Sequence, residues 1–383
     1  MKIAFIGQKG IPATSGGVER YVEELAIRLA REGHDVICYC RNHYIPKDLK
    51  EYKGVKLIHL PTIKTKHLDA IVHTFLATID VLFRKADIIH YNAIGPSSLL
   101  WLPKILTNAK IVATFHSDDR KHAKWGWIAR KLLGLGAFSA LRFSDRAITV
   151  SKVQKENCRK EFGGDSVYIP FGVPQGDRVS PNLITQKWGL KGNDYILSVS
   201  RLIRHKGIHY LIEAYNAIKT DKKLVIVGEA SFTSDYVWEL KDLAKDNQNI
   251  IFTSEQTGEA LAELFSNNYL FVQPSESEGL SIALLEAMSY GSPVLVSDIP
   301  ENKEAIDDSG FTFRNKSVKD LERKLTILLD NPEMVKENKA KSKEQVFQNY
   351  NWDVTVKKTV ALYDQLLTDQ AIKKFGKLVN YSR

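Results

Sequence analysis

The sequence predicts an α/β protein with two domains, each built on a parallel sheet. β-type apolar runs alternate with helical patterns along almost the whole chain, which is typical of parallel sheets covered by helices. The chain has 383 residues and exceeds the size at which one hydrophobic core keeps growing. A stretch rich in proline and glycine, 169–174, interrupts the alternation and marks a domain boundary.

The first domain is predicted over 1–172 and the second over 173–352, each Rossmann-like. After the first strand, apolar residues recur at i, i+3 and i+4 from Val18 to Leu29, and Gly33 ends that helix. The strands expected in the first domain are 2–6, 36–40, 55–59, 88–91, 111–115, 147–150 and 167–169. Those expected in the second domain are 195–199, 223–227, 250–252, 270–273 and 294–297.

The composition is ordinary for a soluble globular protein, with 44% hydrophobic and 26% charged residues. The first residues do not resemble a signal peptide, and no run approaches the roughly 20 apolar residues needed to span a bilayer. Cys38, Cys40 and Cys158 lack metal-ligand spacing, and Cys38 and Cys40 lie two apart in a β-type run, so we expect these two to be buried thiols. A cytoplasmic protein is therefore expected.

Positive charge is concentrated in the first half. Residues 1–172 contain 27 Lys and Arg against 16 Asp and Glu, whereas the remainder contains 27 against 29. Such asymmetry predicts an anionic partner for the first domain. No nucleic-acid motif accompanies the charge, so nucleic acid is not expected. A phospholipid surface or a diphosphate-bearing acceptor fits the charge, and a solvated basic surface is the alternative.

The strongest motif follows the strand that ends before Pro274. A helix is predicted to open near Ser281, and N–H groups at a helix N-terminus bind phosphate. Glu278 and Glu286 are eight positions apart and are predicted to face the carboxyl end of the sheet, where α/β proteins bind ligands. The alternative is that Glu278 caps the helix and Glu286 lies at the surface. The predicted phosphate-binding amides are those of Gly279, Leu280 and Ser281.

Three further signals lie at predicted carboxyl ends of strands. Arg201 and Lys206 flank a short loop after the first strand of the second domain, where two cations can neutralise a diphosphate. Gly16 and Gly17 open the first long helix and permit close approach of a ligand, although the pattern is not a dinucleotide fingerprint. His116 follows an apolar strand of the first domain, where a structural and a functional role are both open.

Taken together, these motifs make the chain resemble glycosyltransferase family 4, the retaining glycosyl transferases of group 1. The family's E-x7-E motif matches Glu278 and Glu286, and its Arg–Lys phosphate pair matches Arg201 and Lys206. The resemblance implies the GT-B fold, with two Rossmann-like domains facing each other across a cleft. It also implies that a last helix, 353–383, packs back on the first domain.

The resemblance implies a role for each matched residue. The catalytic residues are expected to be Glu278, His116, Arg201 and Lys206. The donor is expected to contact Gly16, Gly17, Arg201, Lys206, Gly228, Glu229, Thr253, Gly279, Leu280, Ser281 and Glu286. No cofactor or metal is expected, because Arg and Lys neutralise the phosphates and the chain contains no Asp-x-Asp.

The implied reaction moves a hexosyl unit, with retention, from a nucleotide-diphosphate sugar to a glycan or a polyprenyl-diphosphate-linked acceptor. A UDP-sugar is the favoured donor, and cell-envelope polysaccharide or glycolipid synthesis is the favoured context. Leu280-Ser281 departs from the family's Phe-Gly pair and Ala230 replaces its second glycine, so the donor stays open. The alternatives are a nucleotide-sugar 2-epimerase and a catalytically silent GT-B binding subunit.

The acceptor is expected on the basic first domain, with Lys66, Arg120 and Lys121 as candidate contacts. The segment 125–146 mixes tryptophan, leucine and phenylalanine with lysine and arginine, as an element that binds an anionic membrane does. This pattern predicts peripheral association with the inner face of the membrane. The alternative is a core-packed helix with a solvated basic face.

Overall fold

The computed structural model describes residues 1–14, 16–65, 68–117, 127–229 and 234–381, with the backbone alone at 128, 129, 234 and 373–381. Contacts between residues divide the chain into two compact units. Unit 1 comprises Met1–Phe171 and Trp352–Arg383, and unit 2 comprises Gly172–Asn351.

Unit 1 is built on an eight-stranded sheet in the order β3-β4-β2-β1-β5-β6-β7-β8. All neighbouring strands are parallel except β3 and β4, which are antiparallel. The strands are β1 (Lys2–Ile6), β2 (Asp35–Arg41), β3 (Glu51–Tyr52), β4 (Val55–Leu60), β5 (Ile88–Asn92), β6 (Lys110–Phe115), β7 (Arg146–Thr149) and β8 (Val167–Tyr168). The two-residue strand β3 was not predicted, because so short a segment has no measurable period.

The helices of unit 1 connect consecutive parallel strands. They are α1 (Gly17–Arg31), α2 (Leu68–Val81), α3 (Trp101–Leu106), α4 (Trp127–Phe143) and α5 (Lys152–Phe162). The connections through α2 to α5 all run along the strand order towards β8, whereas the connection through α1 runs the opposite way, from β1 to β2. Because such crossovers are right-handed, α2 to α5 lie on one face of the sheet and α1 lies on the other. Side chains from α2, α4 and α5 share one buried cluster with β1, β2, β5 and β6.

Unit 2 is built on a six-stranded parallel sheet in the order β11-β10-β9-β12-β13-β14. Its strands are β9 (Tyr195–Val199), β10 (Lys223–Val227), β11 (Ile250–Phe252), β12 (Leu270–Gln273), β13 (Val294–Ser297) and β14 (Phe311–Phe313). Its helices are α6 (Leu183–Trp188), α7 (Ile208–Ala217), α8 (Ser234–Ala244), α9 (Gly258–Asn267), α10 (Ile282–Ser289), α11 (Pro300–Ile306), α12 (Val318–Asp330) and α13 (Pro332–Asn349). The five strands predicted for this half have the bounds expected from the sequence.

The last helix, α14 (Trp352–Tyr381), belongs to unit 1 and contacts α1 and β6. Thr355 donates to the Pro170 carbonyl at 2.9 Å, and the hydroxyl of Tyr363 lies 2.6 Å from Nδ1 of His90. The guanidinium of Arg28 on α1 lies over the ring of Trp352. The last helix of unit 1 therefore packs on the sheet face that carries α1.

Cys38, Cys40 and Cys158 are buried, which confirms the prediction made for Cys38 and Cys40. Across the described ranges of the chain, no helix is both long and apolar enough to cross a membrane.

Candidate active site

The strand order of unit 2 reverses between β9 and β12. The chain runs from β9 outward through β10 and β11, then crosses to β12 and continues to β13 and β14. In α/β sheets, ligands bind at the carboxyl ends of strands at such a reversal. The loop after β9 contains Arg201 and Lys206, and the loop after β12 contains Glu278. Three of the residues predicted to act in catalysis thus come from the two loops that flank this point.

The structure pairs Lys206 with Glu278. The Lys206 Nζ atom lies 2.5 Å from Oε1 of Glu278, and only 15% and 8% of the two side chains are exposed. In an ion pair that is largely buried, each charge is compensated by its partner, so removing one residue leaves the other charge buried and unpaired. The pairing was not predicted from the sequence, in which the two residues are 72 positions apart.

Close backbone contact brings the two loops together. The N–H of Glu276 donates to the carbonyl of His205 at 2.8 Å. Gly207 has φ +69°, and a Cβ there would lie 2.0 Å from the carbonyl oxygen of Pro274. Only glycine fits this position without moving backbone. The glycine that ends the basic loop therefore permits the close approach of the two loops that contain Lys206 and Glu278.

The loop after β10 lies against the loop after β9. The carbonyl of Glu229 accepts from the N–H of Leu202 at 2.9 Å, and a Cβ at Gly228 would lie 1.8 Å from the carbonyl oxygen of Ser200. Arg201 and Glu229 are exposed. Thr253, after β11, is buried, and its N–H donates to the Ile226 carbonyl at 3.1 Å. The residues predicted to border the donor thus occupy neighbouring loops at one edge of the sheet.

The helix of the E-x7-E segment begins near Ser281, as predicted. It starts at Ile282, with Ser281 as its N-cap, because the Ser281 hydroxyl accepts from the Leu284 N–H at 3.3 Å. Gly279 and Leu280 are buried in the turn before the helix. The amides of these two residues therefore belong to the turn and not to the helix terminus. Glu286 lies half-buried on the helix, between residues that are fully buried.

A buried chain of polar side chains supports this turn, and the sequence did not reveal it. The Ser281 hydroxyl donates to Oε1 of Gln273 at 2.6 Å, and the Gln273 amide donates to Oδ1 of Asn302 at 2.8 Å. Asn302 in turn donates to Oγ of Ser297 at 3.0 Å, and that hydroxyl donates to the Ser275 carbonyl at 2.5 Å. We call these residues the Gln273 network. A glutamine that ends an otherwise apolar strand was its only signal.

In unit 1, Gly16 and Gly17 lie at the start of α1, with Gly16 as its N-cap at φ +97°. Both are exposed. Two buried carboxylates of α1 hold the preceding loop: Glu19 accepts from the Lys9 N–H at 3.1 Å and Glu23 from the Ala13 N–H at 2.9 Å. These two glutamates were not predicted. Their spacing of four on a helix interior, one turn apart, was the available signal.

His116 follows β6 and is buried. Its Nε2 lies 3.1 Å from Oδ1 of Asn92, the last residue of the neighbouring strand β5. Its ring stacks on Phe171, with centroids 5.5 Å apart, and meets the Tyr21 ring edge-on at 4.9 Å. Burial, with a smaller contribution from His90, lowers the pKa of His116 to about 3. The imidazole is therefore neutral at physiological pH and can donate or accept a hydrogen bond.

The candidate acceptor contacts Lys66, Arg120 and Lys121 lie outside the described residues. Among the residues that the structure does describe, no group of three His, Cys, Asp or Glu could hold a metal ion.

Two family models match the chain one after the other. The model described as Glycosyltransferase Family 4 matches residues 15–175, within unit 1 and the start of unit 2. The model described as Glycosyl transferases group 1 matches residues 182–345, within unit 2. The chain belongs to the family 4, group 1 glycosyltransferases.

Among its curated relatives, this glycosyltransferase is 25% identical over 316 residues to a GDP-mannose-dependent alpha-mannosyltransferase of Corynebacterium glutamicum, covering 77% of this chain and 72% of the relative. It is 28% identical over 174 residues to the N,N'-diacetylbacillosaminyl-diphospho-undecaprenol alpha-1,3-N-acetylgalactosaminyltransferase of Campylobacter jejuni, covering 45% of each chain.

Among solved structures, this glycosyltransferase is similar to Anabaena HepE in complex with UDP-glucose. The TM-score is 0.80 at 19% identity, over 95% of this chain and 100% of the other. At this identity the likeness concerns the fold, which is GT-B, with two parallel-sheet α/β domains as predicted. The family matches and the names of the relatives support a transferase enzyme of glycan or polysaccharide synthesis, as predicted from the sequence.

Proposed function

We propose that this glycosyltransferase moves a hexosyl unit, with retention, from a UDP-sugar to a glycan or a polyprenyl-diphosphate-linked acceptor. The observation that carries the proposal is the pair formed by Lys206 and Glu278 at the strand-order reversal of unit 2, with Arg201 in the same loop as Lys206. Cell-envelope polysaccharide or glycolipid synthesis is the proposed context.

The donor diphosphate is bound by Arg201 and Lys206. The exposed guanidinium of Arg201 offers a planar fork to phosphate oxygens, and the ammonium of Lys206 acts as a point charge with three N–H donors. Positive charge at this position stabilises the negative charge that develops on the leaving nucleotide. The reaction thus proceeds without a metal or other cofactor, and a chelator leaves the rate unchanged.

The remaining donor contacts follow the loops around this pair. Glu278 and the amides of Gly279, Leu280 and Ser281 hold the sugar and phosphate, and Glu286 binds the ribose. The nucleobase lies beside Gly228, Glu229 and Thr253. In unit 1, the amides of Gly16 and Gly17 contact the phosphates, and neutral His116 contacts the transferred sugar.

The pairing of Glu278 also bears on retention. A double displacement needs a free carboxylate as nucleophile, whereas the Glu278 carboxylate is neutralised by an ammonium at 2.5 Å and is a weaker nucleophile for that reason. This supports front-face transfer, in which the departing phosphate assists the incoming acceptor hydroxyl. Glu278 then orients the sugar and Lys206.

The acceptor is proposed to bind the basic unit 1, at Lys66, Arg120 and Lys121. Support comes from the positive charge of residues 1–172 and from the Campylobacter relative, whose name specifies a diphospho-undecaprenol acceptor. The Corynebacterium relative is named for GDP-mannose, while HepE was solved with UDP-glucose. The base is therefore the first property to test.

The deciding experiment is thermal unfolding with UDP-, GDP-, ADP- and dTDP-sugars. A ligand that binds the native state raises the midpoint by mass action, and we expect the largest rise with a UDP-sugar. Lys206→Ala and Arg201→Ala should abolish the rise, whereas Lys219→Ala, at an exposed lysine of the same unit, should keep it. A rise that persists in both site variants contradicts the donor-site assignment. The anomeric configuration of the product, determined by NMR, tests retention.

A further inference from the structure

Exposed apolar side chains are concentrated in one part of unit 1. Of the eighteen large hydrophobic residues exposed within the described ranges, thirteen lie between Ile63 and Phe143. The other five are scattered over unit 2 and α14. Single exposed apolar residues are normal, whereas a contiguous group marks a surface that binds a partner.

The fold places this group on one face. The helices α2, α3 and α4 cover the same side of the eight-stranded sheet, and α3 contacts both of the others. The inner sides of α2 and α4 join the buried cluster with the sheet. Their outer sides therefore point away from the sheet in one direction. We call this surface the α2–α4 face.

Helix α4 shows the pattern most clearly. Successive residues are rotated by about 100°, so that Trp127, Lys131, Leu135, Phe138 and Arg142 form one outer stripe. Trp127, Leu135 and Phe138 are 69%, 60% and 48% exposed. The opposite side of the helix is packed on the core, where it includes Ala137 and Ala140. The outer side is thus apolar and basic, which differs from the solvated basic face considered as the alternative.

Helices α2 and α3 continue the apolar surface. On α2, Leu68, Ile71 and Phe75 are exposed on one side while Ala77 and Val81 are buried on the other. On α3, the exposed residues are Trp101, Ile105 and Leu106.

The charge of the face is positive. Helix α4 contains Arg130, Lys131 and Arg142 and no acidic residue. Two carboxylates at the margins of the α2–α4 face form ion pairs with basic neighbours: Asp80 pairs with Arg84, and Asp145 pairs with Lys104. The Lys131 ammonium lies 5.1 Å from the centroid of the Trp127 ring, so cation and aromatic ring are presented together.

We propose that the α2–α4 face binds the surface of an anionic lipid bilayer. Aromatic and aliphatic side chains enter the boundary between headgroups and acyl chains, while Lys131 and Arg142 contact the anionic headgroups. A second copy of this chain fits the face less well, because a two-fold contact would bring like charges of both α4 helices together. The proposal goes beyond the donor site, since the face contains none of the residues assigned to transfer.

The test is flotation of the full chain with vesicles of phosphatidylcholine alone and with vesicles that also contain about 30% phosphatidylglycerol. We expect the chain to bind the anionic vesicles. Salt at about 0.5 M, roughly threefold the physiological concentration, should weaken this binding. Trp127→Ser with Phe138→Ser, and separately Lys131→Glu with Arg142→Glu, should each weaken binding at least tenfold, on the order expected for loss of two contacts. The matched control is Trp238→Ser, at an exposed tryptophan of unit 2, which should bind as the unaltered chain does.

Two results would overturn the proposal. One is vesicle binding that both double variants leave unchanged. The other is no vesicle binding, together with concentration-dependent dimerisation that Trp127→Ser with Phe138→Ser removes, which would assign the face to a second copy. Because the substituted side chains are exposed, unfolding midpoints should not change, and the midpoint rise with UDP-sugar should persist. Failure of the membrane proposal is thereby distinguished from failure of the proposed transfer.

Discussion

The two units of this glycosyltransferase share a parallel-sheet architecture and differ in how they hold their site residues. In unit 2, a charged pair, Lys206 and Glu278, is held between two loops at a strand-order reversal. In unit 1, His116 is neutral and enclosed by Asn92, Tyr21 and Phe171. The site residues of unit 2 are therefore charged, whereas His116 of unit 1 is an uncharged group enclosed by aromatic rings.

The largest expected effect follows from removing the positive charge of Lys206 in unit 2. Lys206→Ala should lower kcat/KM for transfer by about 100- to 1000-fold, the loss typical of removing one group that stabilises developing negative charge. Lys206→Arg should retain more activity, because the charge remains. Initial rates with UDP-sugar provide the measurement, with Lys219→Ala as the control.

The pairing itself is tested by a double-mutant cycle. Because Lys206 and Glu278 are in contact, the losses in Lys206→Ala and Glu278→Gln should not add when the two are combined. Additive losses in the double variant would show that the two residues act independently.

The second-largest expected effect concerns the buried, neutral histidines of unit 1. Burial lowers the pKa of His73 to about 4 and those of His90 and His116 to about 3. An unfolded imidazole binds a proton near pH 6.5, so below that pH the unfolded state binds more protons than the native state. Stability of unit 1 therefore falls as pH is lowered from about 6.5, by about 2 kcal/mol for each imidazole at pH 5.

Hydrogen exchange between pH 8 and pH 5 separates the two units. We expect the amides of β5 and β6 to lose protection before those of β9 and β12. His73→Phe removes one titrating group, so the slope of unit 1 stability against pH should fall by one proton. Equal loss of protection in both units, with no change of slope in the variant, contradicts this prediction.

Predictability from the sequence also differs between the units. Five of the six strands of unit 2 were predicted, and β14 was not. The motifs of Arg201 with Lys206 and of Glu278 with Glu286 could be singled out because each is contiguous and follows a strand. The environment of His116 was not, because Asn92, Tyr21 and Phe171 come from three distant segments that only the folded chain brings together. The pairing of Lys206 with Glu278 required the backbone approach at Gly207, which periodicity does not reveal.

The outer sides of α2 and α4 illustrate a second limit. The apolar residues of α2 and of α4 are spread around each whole helix, so the sequence pattern could not distinguish the side packed on the sheet from the exposed side. The structure resolves this through Ala77 on α2 and Ala137 on α4, which lie in the core.

The smallest expected effect concerns the support of the donor loop. Gln273 hydrogen-bonds Asn302 and Ser281, and through this network it holds the Ser281 hydroxyl. Gln273→Ala leaves the buried Ser281 hydroxyl and the Asn302 amide oxygen without these partners, so the turn at 279–281 loses its fixed position. We expect KM for the donor to rise about tenfold, equivalent to about 1.4 kcal/mol, while kcat changes less.

The matched control for Gln273→Ala is Asn247→Ala, which removes a half-buried amide of unit 2 that donates to Asn216 and should leave KM unchanged. Steady-state rates separate KM from kcat, and calorimetry with UDP measures the affinity directly. If Gln273→Ala lowers the unfolding midpoint but leaves KM and UDP affinity unchanged, the network stabilises unit 2 without positioning the donor loop. A rise in KM that Ser281→Ala reproduces identifies the hydroxyl-to-amide contact as the one that positions the phosphate-binding turn.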